Sequence, residues 1–579
     1  MDEQINEGTI YETQGDNLPA NTSNQQQAVQ FNEVTYHDTK GYSNPIIPVL
    51  IAVSTIVGIV IGIFFASRFT GSRLNIINSS SNKITELLDI VDYKYVDTVN
   101  IPEIVDDAIP LILKDLDPHS AFISSKDAQT ANDDLNGSFS GVGVQFTIKN
   151  DTVYITNIIK DGPSEKVGIL PGDRIVEIDH KPYVGEVVTN EETIHRLKGP
   201  KGTKVSLKML RRGEEKSFTI TRGDIKVQSV EAYYMLNKEL GYVFVKNFGQ
   251  TTYFEFLSAL EELRMEGMKG LVVDLRNNGG GYLQTAIQMV NEFLPANKLV
   301  VYTKGRNSPK QEFKSDGYGS FQDLPIIILT NEYTASASEI FSGAIQDNDR
   351  GVIVGRRTFG KGLVQEQITL SDNSMINLTI ARYYTPSGRC IQKPYTKGQP
   401  ELYEGDLMTR YDHGEFFNED SIKQTGEQYK TSIGRIVYGG GGIMPDFFVA
   451  EDTTLFTPYF KELQTKGIIN EFCFEYTDKN RSSLSKHTTY KSLLKYIEGK
   501  HLVEQCVKFA DSKGVARRNN MILQSRKLFE RSIYGTIIYN ILDIQSYMKY
   551  LNSDDENIKK AIELYSQGKT IPTLTNRKQ

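Results

Sequence analysis

Two short stretches carry residues that could do chemistry together. "TASASEIFSG", Thr334 to Gly343, places Ser336 between a run that reads as a strand and one that reads as a helix. Twenty-five residues on, "FGKGLVQ" sets Lys361 between two glycines. A serine hydroxyl becomes a nucleophile only with a base beside it. A lysine amine is such a base only when burial lowers its pKa from about 10.4 toward neutrality. The plain alternative for Ser336 is structural, because Ser336-Ala337-Ser338-Glu339 is an S-x-x-E capping box ahead of an apolar-periodic run. The two roles are compatible, since a helix N-terminus also favours developing negative charge. A histidine base is harder to find. The seven histidines stand at 37, 119, 180, 195, 413, 487 and 501, with none between Gly241 and Ile391, which makes a Ser-His-Asp triad awkward.

Lys361 also has competing readings. "GRRTFGKG" matches the G-x-x-x-x-G-K start of a phosphate loop, but Gly362 stands where Ser or Thr should hold magnesium. The next residues, "LVQEQITL", read as strand and not helix, so the phosphate-loop context fails. An ordinary surface lysine in a turn remains open at this level. "RNNGGG", Arg276–Gly281, lacks G-x-G-x-x-G and so gives little support to dinucleotide binding, but a loop of this kind can present a backbone N–H to an oxyanion.

These residues need elements to hold them. From Gly241, strands alternate with helices: "GYVFVKNF", a helix through "TYFEFLSALEELRMEG", then "GLVVDL", the glycine loop, and a helix with Leu283, Ala286, Ile287, Val290 and Leu294 on one face. "PIIILTN", the helix after Ser336 and "GVIVG" continue the alternation, which implies βαβ units and a largely parallel layer. A hairpin, "LVQEQITL" turning at "SDNS" into "MINLTIARYY", comes next. Upstream, about Phe139 to Arg222 holds short β-rich runs around "GPSEKVGILPGD" and resembles a PDZ domain, with "SGVGV", Ser140 to Val144, at the carboxylate-binding loop. Ile84, Leu87, Leu88 and Val91, then Ile104, Val105, Ala108 and Ile112, predict two amphipathic helices, with "DLDPHSAF" closing that arm. Beyond "GGGGIMPD" the pattern is mostly helical.

Residues Ile46 to Ala66 carry no charge over 21 positions, long enough to cross a bilayer as a helix. A signal peptide would have a shorter apolar region and less polar chain ahead of it, so a retained single span is the expectation. Lys40 before it against Arg68 and Arg73 after it is a one-charge bias toward a cytoplasmic C-terminal bulk. Residues 1–44 read as a disordered polar tail. The net charge of −7 shows no nucleic-acid footprint. Three cysteines exclude a disulfide framework, and with no Cys pair or His cluster at ligand spacing neither a zinc site nor any other cofactor is expected.

"DLRNNGGGYL", "TASASEIFSGAIQD", "GRRTFGKGLVQ", "YYTPSGR" and "GGGGIMPD" occur in the order and spacing of the C-terminal processing peptidases, also called tail-specific proteases. The PDZ-like segment and "LDPHSAF" precede them, as in that family. The chain resembles it from about Ile84 to Val449. The resemblance implies a multidomain α+β chain with a crotonase-like α/β peptidase core and an inserted PDZ domain. With the elements already placed, this gives a tail at 1–44, a transmembrane helix at 45–67, a helical arm at 68–135, the PDZ domain at 136–224, the core at 225–450 and a helical extension at 451–579. It also implies a serine endopeptidase that cleaves proteins near their C-termini. Ser336 would be the nucleophile, Lys361 the general base and Gln365 the residue that positions the lysine. The oxyanion hole would be Ala337 N–H with Gly280 N–H, although Gly279 stands where the family usually has proline. Gly141, Val142, Gly143 and Val144 would receive the peptide carboxylate. Members usually work outside the cytoplasm, which implies a single-pass inner-membrane protein with a periplasmic catalytic portion, against the charge bias. A homo-oligomer remains open.

Strand geometry adds one demand. Residues four apart in an extended strand lie about 13 Å from each other. If Gln365 orients Lys361, the chain must bend near Gly362. Two other classes compete with the peptidase. A PDZ scaffold on a dead core would have lost Ser336, Lys361 or Gln365, and all three are present; acyl-CoA chemistry on the same core would not want a serine-lysine pair.

Overall fold

Short runs rich in Val, Ile and Leu, fully buried and bounded by Gly or Asp, form the central strands of this computed structural model, which describes residues 55, 57, 79–128, 137–422 and 426–574. The chain divides into two units, one through Ile101 and one from Pro102 onward. In the first lies α1 (Ser79–Lys94), with Ile84, Leu87 and Ile90 exposed. No helix among the described residues is long and apolar enough to cross a membrane. Except for Thr55 and Val57, the span expected at 45–67 lies outside the described residues, as does the tail at 1–44.

From Pro102 onward the second unit holds all but the first residue of α2 (Ile101–Lys114), followed by β1 (Ala121–Ile123). Here the sequence reading is corrected. "LDPHSAF" does not close a helical arm; its last residues form β1, which joins a sheet of the peptidase core. Three residues are too few for a periodicity signal, so nothing local announced this strand.

The chain then leaves the core for a small β domain. Its strands are β2 (Ser138–Gly141), β3 (Val144–Lys149), β4 (Thr152–Ile158), β5 (Arg174–Ile178), β6 (Lys181–Pro182), β7 (Lys204–Arg211), β8 (Glu214–Thr221) and β9 (Gly223–Lys226). Two helices accompany them, α3 (Pro163–Lys166) and α4 (Asn190–Leu197), the latter capped by the Thr189 hydroxyl. The main sheet runs β3-β4-β5-β7-β8, so β3 is an edge strand, and β2 pairs with β9. Val153, Ile155, Ile175, Val205, Leu207 and Ile220 fill the interior from alternate strand positions.

On return, the chain builds a six-stranded sheet in the order β10 (Val230–Met235), β11 (Leu240–Val245), β12 (Gly270–Asp274), β15 (Ile326–Thr330), β16 (Val352–Gly355), β21 (Phe447–Phe448). All neighbours are parallel except β10 and β11. One face is covered by α5 (Thr252–Met265), α6 (Leu283–Asn291) and α7 (Ala337–Asp347), whose Phe256, Leu260, Ala286, Val290, Phe341 and Ile345 are buried there. A second sheet joins β1, β13 (Leu299–Lys304), β14 (Gln311–Lys314) and the hairpin β17 (Leu363–Thr369) with β18 (Met375–Tyr384). The helices α8 (Pro400–Glu404) and α9 (Asp406–Asp412) and a small hairpin, β19 (Gln428–Lys430) with β20 (Ile436–Tyr438), complete the core.

The remainder is helical: α10 (Pro458–Thr465), α11 (Ile468–Leu484), α12 (Tyr490–Glu498), α13 (Leu502–Ser512), α14 (Asn519–Gln524), α15 (Arg526–Ile541), α16 (Ile544–Asn552) and α17 (Glu556–Ser566). Most of it packs around Phe460, Phe472, Leu493, Phe529 and Ile533. Its last two helices cover the other face of the parallel sheet. Met548, Ile558, Ala561 and Leu564 bury against Tyr242, Val272, Ile327, Leu329 and Val354. At about 1.5–3 kcal/mol for each large side chain buried, that seam welds the extension to the core.

Candidate active site

The loops after β12 and β15 leave the carboxyl ends of neighbouring parallel strands, the rim where open α/β sheets place their sites. Asn277 N–H donates to Asn331 Oδ1 and Asn331 Nδ2 donates to Asn277 Oδ1, both at 2.9 Å, which ties the two loops together. Ala335 N–H and Ser338 Oγ both donate to the Asn278 carbonyl at 3.0 Å.

Ser336 sits at the N-terminus of α7 with φ 57° and ψ −117°, a backbone state that costs a non-glycine residue about 1–3 kcal/mol and recurs at functional sites. Its N–H donates to Glu339 Oε2 at 2.9 Å, while Glu339 N–H donates to the Ser336 carbonyl at 2.8 Å. The turn is a capping box in which the Ser336 side chain faces the Glu339 N–H as an acceptor, which leaves its O–H proton free to be taken, and the residue is half-buried. Gly280, at φ 103°, packs directly on this turn. A Cβ there would fall 2.7 Å from Ser336 Cβ and 2.9 Å from Ala337 N, so only glycine fits.

Glu339 does more than cap. Fully buried, it accepts from Gly360 N–H and Lys361 N–H, each at 2.8 Å, as well as from Thr358 Oγ1 and Ser336 N–H. One carboxylate thereby pins the serine turn and the lysine loop to a common point. Burial pushes its pKa up to about 7, against the pull of those four hydrogen bonds. Tyr383 makes a second tie, its buried hydroxyl lying against the carbonyls of both Ser336 (3.1 Å) and Lys361.

Lys361 is half-buried, and burial lowers its pKa below the ordinary lysine value, opposed by the charges of Asp117 and Glu339. Its Nζ donates to Gln365 Oε1 at 2.9 Å. The required bend is present: Lys361 and Gly362 precede β17, and the β17–β18 register shifts between Val364 and Gln365. Gln365 Nε2 in turn donates to the backbone carbonyl of His119. The His119 ring bonds the Tyr403 hydroxyl at 2.8 Å. Burial, with the nearby Lys361 charge, drops its pKa to about 4, so it stays neutral near pH 7 and adds no second cation beside the lysine. No hydrogen bond joins Ser336 Oγ to Lys361 Nζ among the described residues.

The structure thus gathers Ser336, Ala337, Gly280, Lys361 and Gln365 at one place. Gly280 N–H, however, donates to Asn278 Oδ1 at 2.9 Å, so it serves an oxyanion only by sharing or releasing that bond. Gly141, Val142, Gly143 and Val144 lie in the separate β domain. There Ser164 N–H and Oγ both donate to the Val142 carbonyl (3.0 and 2.7 Å), and Ile159 N–H to the Gly143 carbonyl (3.1 Å), which fixes the shape of the loop. Sequence reasoning missed the lysine-loop role of Glu339 and the parts played by Tyr383 and His119. The S-x-x-E spacing flagged the first, and the motif "YYTPSGR" contains the second. Nothing local marked the His119 carbonyl.

Residues 239–400 match the profile of peptidase family S41, residues 140–221 that of the PDZ domain, and residues 459–543 that of a family of unknown function. The chain is 34% identical over 313 residues to the carboxy-terminal-processing protease of Bartonella bacilliformis, covering 53% of this chain and 71% of that protein. It is 33% identical over 344 residues to a probable CtpA-like serine protease of Staphylococcus aureus, covering 59% and 68%. The chain belongs to peptidase family S41. It is a serine peptidase of that family with a PDZ domain, which upholds the resemblance read from the motifs. Among solved structures it matches the photosystem II D1 C-terminal processing protease at 27% identity, over 55% of this chain and 91% of that one, with a TM-score of 0.32.

Proposed function

We propose that this S41 peptidase is a membrane-anchored endopeptidase that takes hold of polypeptide C-termini with its PDZ domain and cuts near them with a Ser336–Lys361 dyad. The observation that carries the dyad is the shared anchorage: Glu339 and Tyr383 bind the serine turn and the lysine loop together, while Gln365 holds Lys361 Nζ. Neutral Lys361 accepts the Ser336 hydroxyl proton as Oγ attacks the scissile carbonyl carbon. The oxyanion so formed lies at the N-terminus of α7, where Ala337 N–H and the helix dipole favour negative charge, with Gly280 N–H beside it. The protonated lysine then gives its proton to the leaving amine. Water, deprotonated by the Lys361 amine, then attacks the acyl carbon; the bond to Ser336 Oγ breaks, and the lysine returns the proton to Oγ as the new carboxyl terminus leaves.

Recognition is read from the PDZ loop. Gly143, at φ 78°, lets the loop from Gly141 to Val144 turn into the edge strand β3, and loop N–H groups of this kind take a terminal carboxylate while the peptide adds a strand. Peptides amidated at the C-terminus are therefore expected to bind and be cut less well than their free acids. Equal cleavage of the two forms would remove the carboxylate from recognition.

The anchor rests on the uncharged stretch from Ile46 to Ala66. Full-length protein is expected to stay with membranes through an alkaline wash, and a chain begun near Ser72 to be soluble and active. Protease applied outside spheroplasts should digest the large domain. Full protection of that domain with clipping of the N-terminal tail would reverse the proposed periplasmic orientation.

A further inference from the structure

The helical extension, whose matching family has no known function, reaches the PDZ domain at its peptide-receiving edge. β3 alternates: Val144, Phe146 and Ile148 turn into the domain, while Gln145 and Lys149 point outward and touch the extension. Tyr539 of α15 donates its hydroxyl to Gln145 Oε1 at 3.1 Å. Lys149 pairs with Glu471 of α11 at 3.4 Å and with Glu475. On β4, Tyr154 meets Phe474 edge-on at 5.4 Å. These contacts lie along the outer face of β3 and β4 and bridge partners up to 394 residues apart in sequence.

Strand geometry says what such a neighbour would sense. A peptide whose carboxylate sits at the loop from Gly141 to Val144 must run back along β3, antiparallel to it. Its side chains alternate between the two faces. The last side chain points to the apolar side, lined by Val142 and Val144. The penultimate side chain then points outward, beside Gln145. There Tyr539, itself edge-on to Tyr547 at 6.0 Å, offers an aromatic surface.

We propose that α15 of the helical extension forms the outer wall of the PDZ groove and that Tyr539 reads the penultimate residue of the bound C-terminus, favouring an aromatic side chain. This rests on the proposed PDZ recognition of C-termini and adds a second determinant to it. The extension thus makes selection of the substrate's end a joint property of two domains. Its attachment to the core through α16 and α17 keeps the wall in register with the peptidase.

The test uses the full-length chain in a Ser336→Ala background, so that bound peptides survive, and fluorescence polarisation with labelled decapeptides ending in an apolar residue. Peptides with penultimate Tyr are expected to bind about fivefold to tenfold more tightly than those with penultimate Gly, the scale of one aromatic contact. Tyr539→Ala should reduce that ratio to within about twofold, with preference for the last residue unchanged; Gln145→Ala, on the other side of the contact, should do the same. If both variants keep the wild-type ratio while free acids still outbind amides, the wall is overturned and the carboxylate reading stands. If acids and amides bind alike, both fall.

Discussion

Ser336→Ala is expected to lower turnover by at least about 10³-fold, because no other group can form the acyl intermediate. The fold should survive it. An N-cap side chain lost to alanine costs about 0.5–2 kcal/mol, and the two bonds with Glu339 that run through the serine's backbone N–H and carbonyl are retained by alanine. The positive φ is borne by a residue that already has a Cβ, so alanine adds no new strain. Thermal midpoints within a few degrees of wild type, together with lost peptide cleavage, are the expected pair. A variant that melts early yet cleaves in its folded fraction would make Ser336 a cap and nothing more.

Lys361→Arg is expected to be nearly as damaging. Guanidinium keeps the charge and can still reach toward Gln365, but it stays protonated and cannot accept the serine proton. Loss of a general base typically removes 10²–10⁴ of the rate, so a folded variant keeping more than about a tenth would contradict the dyad. The wild-type pH profile carries the same information. Only the neutral amine is a base, so kcat/KM should climb as pH rises through the Lys361 pKa. Burial sets that pKa below the ordinary lysine value and moves the climb toward neutral pH. The arginine variant should lack that limb.

What the sequence disclosed and what it concealed divide along physical lines. That Ser336, Lys361 and Gln365 come together was legible, because the proposed chemistry would need those side chains in recognisable motifs, and the fold brings them to one place. The demand for a bend between Lys361 and Gln365 was also legible, since strand rise is fixed; the structure meets it with the register shift at Val364 and Gln365. Glu339 was half legible. Its cap-box spacing was plain, but its grip on Gly360 and Lys361 depends on a loop that approaches only after folding. The carbonyl of His119 could not be seen at all, because any residue type has one. "LDPHSAF" was misplaced for a related reason: β1 gains its ladder from β18, some 250 residues away, and not from local pattern. Gly280 shows the opposite case. It packs on the serine turn, as the motif reading expected, yet its N–H is bonded to Asn278, a side chain whose reach no spacing rule predicts.

On the proposed mechanism, Ser336 is a nucleophile because Lys361 takes its proton. A fluorophosphonate probe, which reacts with an activated serine oxygen, tests it in one experiment when the adduct is mapped by peptide mass. A single adduct on the peptide containing Ser336 is expected, forming faster as pH rises, and forming far more slowly in the folded Lys361→Arg chain. An active enzyme whose adduct maps to another residue, or equal labelling of Ser336 in the wild type and the arginine variant, would contradict the account.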